Sequence, residues 1–489
     1  MLSLSPVSAA EINDAGEKRL KTLFTNMLDQ RKTAIEARGG KLETDGDIVI
    51  EQADTYYAVT LPAMSLTNDD DMIGKVGLIA INATPTDAPD NWKMSIAIPT
   101  PILYEDKDGN PTMRLEIGEQ EMGGIWNGSL ENFSKLSAKY ANIKLSHYKK
   151  KEILNIGQFN IAADLKENKK DYWTGPTKIS LQNISIIDGD DKKLLGLGDA
   201  RILMDIDNFS PKKRNEVLKL LSEQSENTEE TISSLPALVM GSIGDSFSLE
   251  GVLKNLKIKG RDNAKIGKEG VSLASANFGL SMADLNKDNI KQNFKLSFSG
   301  LKNPKNDELA PTNMNIDLQI DKLPLRELLG LAEKIMPKGD DKAAAKQVAA
   351  MQTMLTAPKI LASAGTTMTL TDTKYGNDIY SGDLNGKLTA NSASMFGTTG
   401  EIIFAMRGVE KLIEALKDKA DHKKTSARLK AIQKVCNTQG EGAEQKNVCH
   451  FKLDESAKLT VNGQDMEVLL EAMSGEEDKV KSEDTTKDR

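Results

Sequence analysis

The sequence contains few aromatic residues, few cysteines and few histidines. Only 4% of its 489 residues are aromatic, and there are two cysteines and three histidines. Aromatic side chains dominate enzyme pockets and interface hot spots, so their scarcity argues against a deep catalytic cleft. The sequence also has no Walker phosphate loop, no G-x-S-x-G nucleophile elbow and no H-E-x-x-H zinc motif. We therefore predict a protein that is not an enzyme and carries no cofactor.

Two further absences concern membranes and nucleic acids. No stretch of 18 consecutive apolar residues occurs, so no transmembrane segment is predicted. The chain has a formal net charge of −8, and its basic residues are mixed with acidic ones. Nucleic-acid binding needs a basic face that neutralises phosphates, so we do not expect it. The plentiful carboxylates leave a hydrolase as the least favoured function, because nothing singles out one catalytic pair.

The N-terminus, MLSLSPVSAAEIND, resembles the end of a secretory signal peptide. Small residues precede Glu11, as at an A-x-A-type cleavage site, but no basic segment comes before them. Two interpretations follow. Residues 1–10 are the remnant of a signal that begins upstream, or they are a disordered start. The first predicts an exported, periplasmic protein and is favoured here, whereas the second predicts a cytoplasmic one.

Beyond the first helix, apolar and polar residues alternate in many short runs. Clear examples are Phe159/Ile161/Ala163/Leu165, Phe294/Leu296/Phe298 and Met314/Ile316/Leu318/Ile320. Alternation with a period of two is typical of strands that have one face buried and the other in water. About fourteen such strands, separated mostly by short polar turns, predict a repeated antiparallel meander rather than alternating β–α–β units.

Helical periodicity interrupts the strands at intervals. The predicted helices cover residues 13–38, 210–224, 324–336, 341–356, 409–435 and 464–473. The pattern predicts an α+β fold that is mainly β, with an extended, curved antiparallel sheet and amphipathic helices packed on one face. The predicted organisation is a signal remnant or disordered segment (1–10), an N-terminal helix with a β-meander (11–230), a β-meander with long amphipathic helices (231–473) and a disordered charged tail (474–489). The boundary between the two large parts is placed near 225–235.

Both cysteines lie in one segment, VCNTQGEGAEQKNVCHF, at residues 435–451. A zinc site needs four ligands, and this segment offers only Cys436, Cys449 and His450, while His147 and His422 are isolated in sequence. On a strand, the adjacent Cys449 and His450 point to opposite faces. That geometry opposes a shared metal and also a cysteine nucleophile with His450 as its base.

A disulfide and a pair of buried free thiols remain as interpretations of these cysteines. Cys436 continues the apolar stripe of the preceding helix, and Cys449 alternates with Phe451 and Leu453 on a predicted strand. In a reducing compartment both would be small hydrophobic side chains. In an oxidising compartment an even cysteine count with a polar loop between the two predicts a disulfide. We predict the Cys436–Cys449 disulfide because export is favoured.

Two acidic segments resemble calcium loops without completing them. DKDGN, at residues 106–110, has its glycine two positions early, and DLNKDN, at residues 284–289, has Asn289 where the loop needs glycine. Asp-Gly between alternating strands is typical of a hairpin turn. We therefore predict turns here and no metal site.

The long half-apolar strands with few aromatics predict a broad aliphatic sheet face. Helices such as 325–336 and 409–435 either cover this face and complete an ordinary core, or leave part of it open as a groove for a lipid or another apolar ligand. The candidate groove residues are Met314, Ile316, Leu318, Ile320, Leu325, Leu328 and Leu329.

The C-terminal third resembles the closing unit of uncharacterised proteobacterial envelope proteins, known only as domains of unknown function. The similarity is carried by the G-x-L element at 386–388, the glycine-led strand at 400–406 and the G-hydrophobic-x-x-L-I-x-A-L helix at 408–416. LPLRELLGL, at 323–331, is similar to the leucine-rich helices of those proteins, and some of these families are distantly like AsmA-type repeat proteins. The resemblance implies a periplasmic, β-rich protein and supplies no catalytic residues.

The predicted function is non-catalytic. We expect an envelope protein that binds a lipid, another apolar ligand or an envelope protein partner on its sheet face. The alternative is a structural or scaffolding envelope protein whose core is closed.

Overall fold

The computed structural model describes residues 11–67, 72–88, 90–148, 151–188, 192–223, 244–260, 270–303, 309–335, 351, 355–417, 423–442, 445–467 and 470–471. The predicted signal remnant, the charged tail, the boundary near 225–235 and most of the helix at 341–356 lie outside these residues.

The chain is mainly β, as predicted, and its strands form one antiparallel sheet. The expected number of about fourteen strands is wrong, because the described residues alone contain 25 strands. The strands are β1 (Lys41–Asp45), β2 (Val49–Gln52), β3 (Tyr57–Leu61), β4 (Ala63–Thr67), β5 (Ile73–Val76), β6 (Ile79–Pro85), β7 (Asn91–Ala97), β8 (Ile102–Glu105), β9 (Pro111–Asn127), β10 (Asn132–His147), β11 (Glu152–Asp164), β12 (Lys166–Lys169), β13 (Tyr172–Ile187), β14 (Lys193–Phe209), β15 (Ser246–Ile258), β16 (Val271–Ala283), β17 (Ile290–Ser299), β18 (Asn313–Leu323), β19 (Thr367–Gly376), β20 (Ser381–Ala390), β21 (Thr398–Arg407), β22 (Asn437–Gln439), β23 (Lys446–Leu453), β24 (Leu459–Val461) and β25 (Gln464–Asp465). Strands of two to five residues, such as β1, β22 and β25, are too short for alternation to reveal them.

Several helices interrupt the strands. They include α1 (Asp14–Glu36), α2 (Pro211–Glu223), α3 (Leu325–Ile335), α4 (Val409–Leu416) and α5 (Lys423–Val435). Residues 355–364 are also helical. The single helix predicted over 409–435 is wrong, because α4 ends at Leu416 and a second helix begins at Lys423.

The chain divides into two compact units. The first unit comprises Met1–Asp205 and Val252–Gly260, and the second comprises Ile206–Gly251 and Arg261–Arg489.

The core of the first unit lies between α1 and strands β3, β6 and β7. Leu20 and Phe24 of α1 are buried against Tyr57, Ile81 and other apolar side chains of these strands. The Tyr57 hydroxyl accepts a hydrogen bond from the backbone N–H of Asn13 (2.8 Å) and donates one to the Asn13 carbonyl (2.9 Å). The aligned apolar stripe of α1 and this bonded tyrosine fix the start of the helix on the sheet.

A row of glycines and left-handed asparagines crosses the long strands of the first unit. Asn142, Asn183 and Asn255 have φ values of 54°, 55° and 56°. Each lies against a glycine on a neighbouring strand, where an added Cβ would come within 3.1 Å or less of the asparagine Cβ: Gly118, Gly157 and Gly198. Asparagine tolerates this conformation better than most residues. In β10 the inward-facing apolar residues have even numbers before the row (Ala138 and Tyr140) and odd numbers after it (Ile143 and Leu145). The left-handed asparagine thus changes which positions of the strand face inward.

In the second unit, α4 and α5 cover one face of β21 and β23. Met406 is buried with Val409, Leu412, Leu416 and Leu429. Gly408 starts α4 from a left-handed conformation (φ 73°), which turns the chain from β21 onto the sheet. A second cluster, which contains Cys436, Cys449 and Val461, joins the end of α5 to β23 and β24.

Candidate functional site

Four of the predicted groove residues lie on β18, and most of the residues directly opposite them are apolar, with Gln292 opposite Ile320 as an exception. On β17, Met314 is opposite Phe298, Ile316 is opposite Leu296, and Leu318 is opposite Phe294. On β19, Leu318 is opposite Leu370, and Ile320 is opposite Met368. Directly opposite residues in antiparallel strands share one face, so these side chains form a continuous surface.

The surface extends onto β16. Phe278 is opposite Leu296, Leu280 is opposite Phe294, and the Phe278 and Phe294 rings meet edge to face at 5.8 Å. We call this surface the open face, and it consists of Phe278, Leu280, Phe294, Leu296, Phe298, Met314, Ile316, Leu318, Ile320, Met368 and Leu370. Each of these side chains is half-buried or exposed, and Phe278 retains 37% of its exposure.

The other side of the same strands is polar. Lys295 and Asp317 form an ion pair at 3.3 Å, and the Asn277 amide donates to the Ser297 hydroxyl at 3.1 Å. Gln319, next to Leu318 on β18, is exposed. The two faces of β16–β18 therefore differ in chemistry, and the apolar one is where an apolar ligand would lie.

The three groove candidates on α3 lie at one end of these strands. Leu325 and Leu329 pack against the buried Leu285 and Ile290, together with Leu323 and other apolar side chains. Leu328 is half-buried on the same helix. The contacts of Leu325 and Leu329 thus complete a small core beside the open face.

The two cysteines lie close together, as predicted. The sulfur atoms of Cys436 and Cys449 are within bonding distance, and their Cα atoms are 4.7 Å apart. Both side chains are buried, with 5% and 0% exposure. His450 lies on the other face of β23, where its Nε2 is 3.1 Å from Glu401 Oε2. The histidine therefore has no contact with the sulfurs that would activate a thiolate.

The two segments that resemble calcium loops form turns. Asp106 accepts hydrogen bonds from the backbone N–H groups of Asn110 (2.8 Å) and Asp108 (3.0 Å). These bonds, with that from the Asn110 side chain, lower the pKa of the Asp106 carboxyl. In the second segment, Asp284 has a left-handed conformation (φ 62°) and pairs with Lys287 at 2.7 Å. Within the described ranges, no three His, Cys, Asp or Glu side chains are grouped to hold a metal ion.

A polar cavity of about 950 Å³ was not foreseen from the sequence. Residues from β18 to β23 line it, including Asn315, Asp372, Lys374, Ser381, Asp383, Asn385, Ala405, Arg407, Gln439, Lys446 and Val448. Strand alternation places most of these side chains on the face opposite to the open face. No local motif signals this cavity, because its lining spans more than 130 positions and meets only through strand register.

Charged groups in the cavity are partly paired. Arg407 Nη1 is 3.0 Å from Asp383 Oδ2, and the Lys374 ammonium donates to Asp372. The hydrogen bond to Asp372 raises the pKa of Lys374. Burial raises the pKa of Tyr375, another lining residue, so its phenol is neutral at physiological pH.

Comparisons with known proteins leave the family open. No protein-family model matches the chain, and a search of curated protein sequences finds no significant match. Among the described residues, none of the helices combines the length and apolar character needed to cross a bilayer.

Proposed function

We propose that this protein binds a lipid or another long aliphatic ligand on the open face and has no catalytic role. The observation that carries the proposal is the set of cross-strand apolar pairs of the open face, in which no side chain is fully buried. Proteins that remain monomeric rarely expose a contiguous apolar surface of this kind without a function.

The chemistry of the open face favours an acyl chain. Most of its side chains are aliphatic, and three are phenylalanines without polar groups. Such a surface offers dispersion contacts and apolar burial along its length but no directional hydrogen bond. Leu318 lies near its centre, between Phe294 and Leu370. A ligand on this face would remove these side chains from water.

The proposal is tested with protein purified without detergent. Native mass spectrometry should show co-purifying lipid, and a fluorescent fatty acid should bind in titration. Leu318→Glu places a charge in the centre of the open face, so we expect the fatty acid to bind at least about tenfold more weakly.

Gln319→Glu is the matched control. It introduces the same side chain at the next position of β18, on the exposed polar face, and should leave fatty-acid affinity unchanged. The proposal fails if no lipid co-purifies and no fatty acid binds, or if the two variants weaken binding equally. Pull-down of a single protein with no lipid would instead favour a protein partner on this face.

We further propose that the protein is exported to the periplasm. The buried Cys436–Cys449 pair and the signal-like residues before Glu11 support this, since disulfides persist in oxidising compartments. Cell fractionation combined with thiol alkylation tests it. Both cysteines should resist alkylation in unreduced cells, and their labelling in the cytosolic fraction would contradict export.

A further inference from the structure

The polar cavity of the second unit has a floor of small side chains and a rim of charged ones. One row of directly opposed residues crosses its strands: Asn313, Gly376, Ser381, Arg407, Lys446 and Gln439. In the adjacent row, the buried Ala405 lies between Asp383 and Val448. The side chains of Ser381 and Ala405 at the centre are short, and the long side chains of Arg407 and Lys446 stand beside them.

Two cations face each other across β21 and β23 in this row. Arg407 is directly opposite Lys446, and like charges in that position destabilise a sheet. Asp383 pairs with Arg407 at 3.0 Å. The other cross-strand neighbour of Lys446 is Gln439, which carries no charge. Among the described residues, neither cross-strand neighbour of Lys446 is acidic, and an anion there would relieve the repulsion between the two cations.

The charge of the cavity lining is opposite in sign to the net charge of the whole chain. The described residues that line the cavity include three cations (Lys374, Arg407 and Lys446) and two carboxylates (Asp372 and Asp383). The complete chain has 64 basic and 72 acidic residues. An excess of positive charge in a concave site is where an anionic ligand is concentrated.

We propose that this cavity binds a phosphate ester, with the phosphate held between Arg407 and Lys446 above Ser381. The arginine supplies a planar fork of N–H donors and the lysine a compact charge, which together match the oxygens of a phosphate. The Ser381 hydroxyl and the Gln439 amide are neutral donors in the same row. The remaining volume and the amides of Asn315 and Asn385 suit a polar group attached to the phosphate.

The cavity and the open face share Met314, at the edge of both. The polar lining residues on β18, β20 and β21 occupy positions that alternate with the apolar ones, and neither Lys446 nor Leu318 belongs to both sites. The two sites can therefore be disrupted independently: Lys446→Gln should leave fatty-acid binding intact, and Leu318→Glu should leave phosphate binding intact.

Calorimetric titration with inorganic phosphate and with glycerol 3-phosphate tests the proposal at low salt. Lys446→Gln and Arg407→Gln should each weaken binding at least about tenfold, because each removes a charged donor. Lys452→Gln is the control, since it makes the same charge change at another position on β23, outside the cavity. It should change affinity less than about twofold.

A second titration, with phosphatidylglycerol vesicles, distinguishes a soluble phosphate ester from a lipid headgroup. Binding of glycerol 3-phosphate supports a soluble ester, and Lys446-dependent binding to the vesicles alone supports a lipid headgroup. Thermal unfolding shows whether each variant is still folded. If Arg407→Gln unfolds the protein because Asp383 loses its partner, the affinity of Lys446→Gln alone tests the proposal. The proposal is overturned if neither probe binds, or if Lys452→Gln weakens binding as much as Lys446→Gln.

Discussion

A single row of opposed residues in the second unit passes from an open region of the sheet to a closed one. It runs through Leu280, Phe294, Leu318, Leu370, Gly386, Ile402, Phe451 and Val461. At one end, which we call the open end, Leu280, Phe294 and Leu318 are half-buried. At the other, which we call the closed end, Val461 has 0% exposure. The residue types are alike at the two ends, so alternation alone does not decide how deeply a strand face is buried.

The two ends differ in burial because of where the helices pack. At the closed end the chain continues from β21 directly into α4 and then α5, which bring Leu416 and Leu429 onto the sheet. At the open end the described contacts of α3 are with Leu285 and Ile290, at the edge of the strands. An amphipathic sheet becomes a core only where a helix stripe covers it, and elsewhere the same pattern leaves apolar side chains partly exposed to solvent.

The largest expected effect contrasts a leucine from each region. Leu416→Ala removes a side chain of 2% exposure from a packed cluster, so it should lower the free energy of unfolding by about 2–5 kcal/mol. Leu318→Ala removes a half-buried side chain, and its loss should be about 1 kcal/mol. Urea unfolding measures both. Equal losses would show that the open face is covered in solution and would break the comparison.

The next largest expected effect is the loss of stability when the cysteine pair is removed, and this loss should be confined to the closed end. Replacing Cys436 and Cys449 together by alanine removes a cross-link over a sequence separation of 13 residues, which should cost about 3 kcal/mol in the chain-entropy account. Reductant should have the same effect on the original protein and none on the double variant. Hydrogen exchange should increase in α5 and β23 and stay unchanged in β16–β18, and a change in both regions would contradict this division.

Much of this architecture was predictable from residue spacing. The period of two in β17 and β18 correctly places Leu296 and Leu318 on one face, because side chains alternate strictly along an extended strand. The stripe of α1 and the proximity of Cys436 to Cys449 follow from the same kind of reasoning. These features depend on neighbours in sequence, and a local pattern is sufficient to reveal them.

The features that were missed depend on register between distant strands. Arg407 and Lys446 meet only because β21 pairs with β23 across two intervening helices, and neither residue belongs to a local motif. The parity change at Asn142 was also missed, because its cause is a left-handed asparagine opposite a glycine on another strand. Coverage of the apolar face could not be predicted either, since it depends on where the helices dock.

The smallest expected effect is the loss of stability when a carboxylate is removed from a turn. It should be equal at the open and closed ends, because both turns are exposed to solvent. Asp454, in the β23–β24 turn, accepts hydrogen bonds from the Ser456 hydroxyl (2.7 Å) and the Lys458 N–H (2.9 Å), which lower its pKa. Asp284, in the β16–β17 turn, has its pKa lowered by a hydrogen bond from Lys287. A lowered pKa means that each carboxylate stabilises the fold above its ordinary value of 3.8, and that this contribution is lost as pH falls through the folded-state value.

Asp454→Asn and Asp284→Asn should therefore each cause a small loss of stability at pH 7 that disappears in acid. Asparagine keeps an acceptor oxygen and tolerates the left-handed conformation of residue 284, so the charge is the main change. Thermal unfolding from pH 7 to pH 2 measures the loss for both variants. Because each turn acts through its own local bonds, coverage of the nearby sheet face should not matter. A loss at Asp454 much larger than at Asp284 would mean that the closed end stabilises its turns as well as its core.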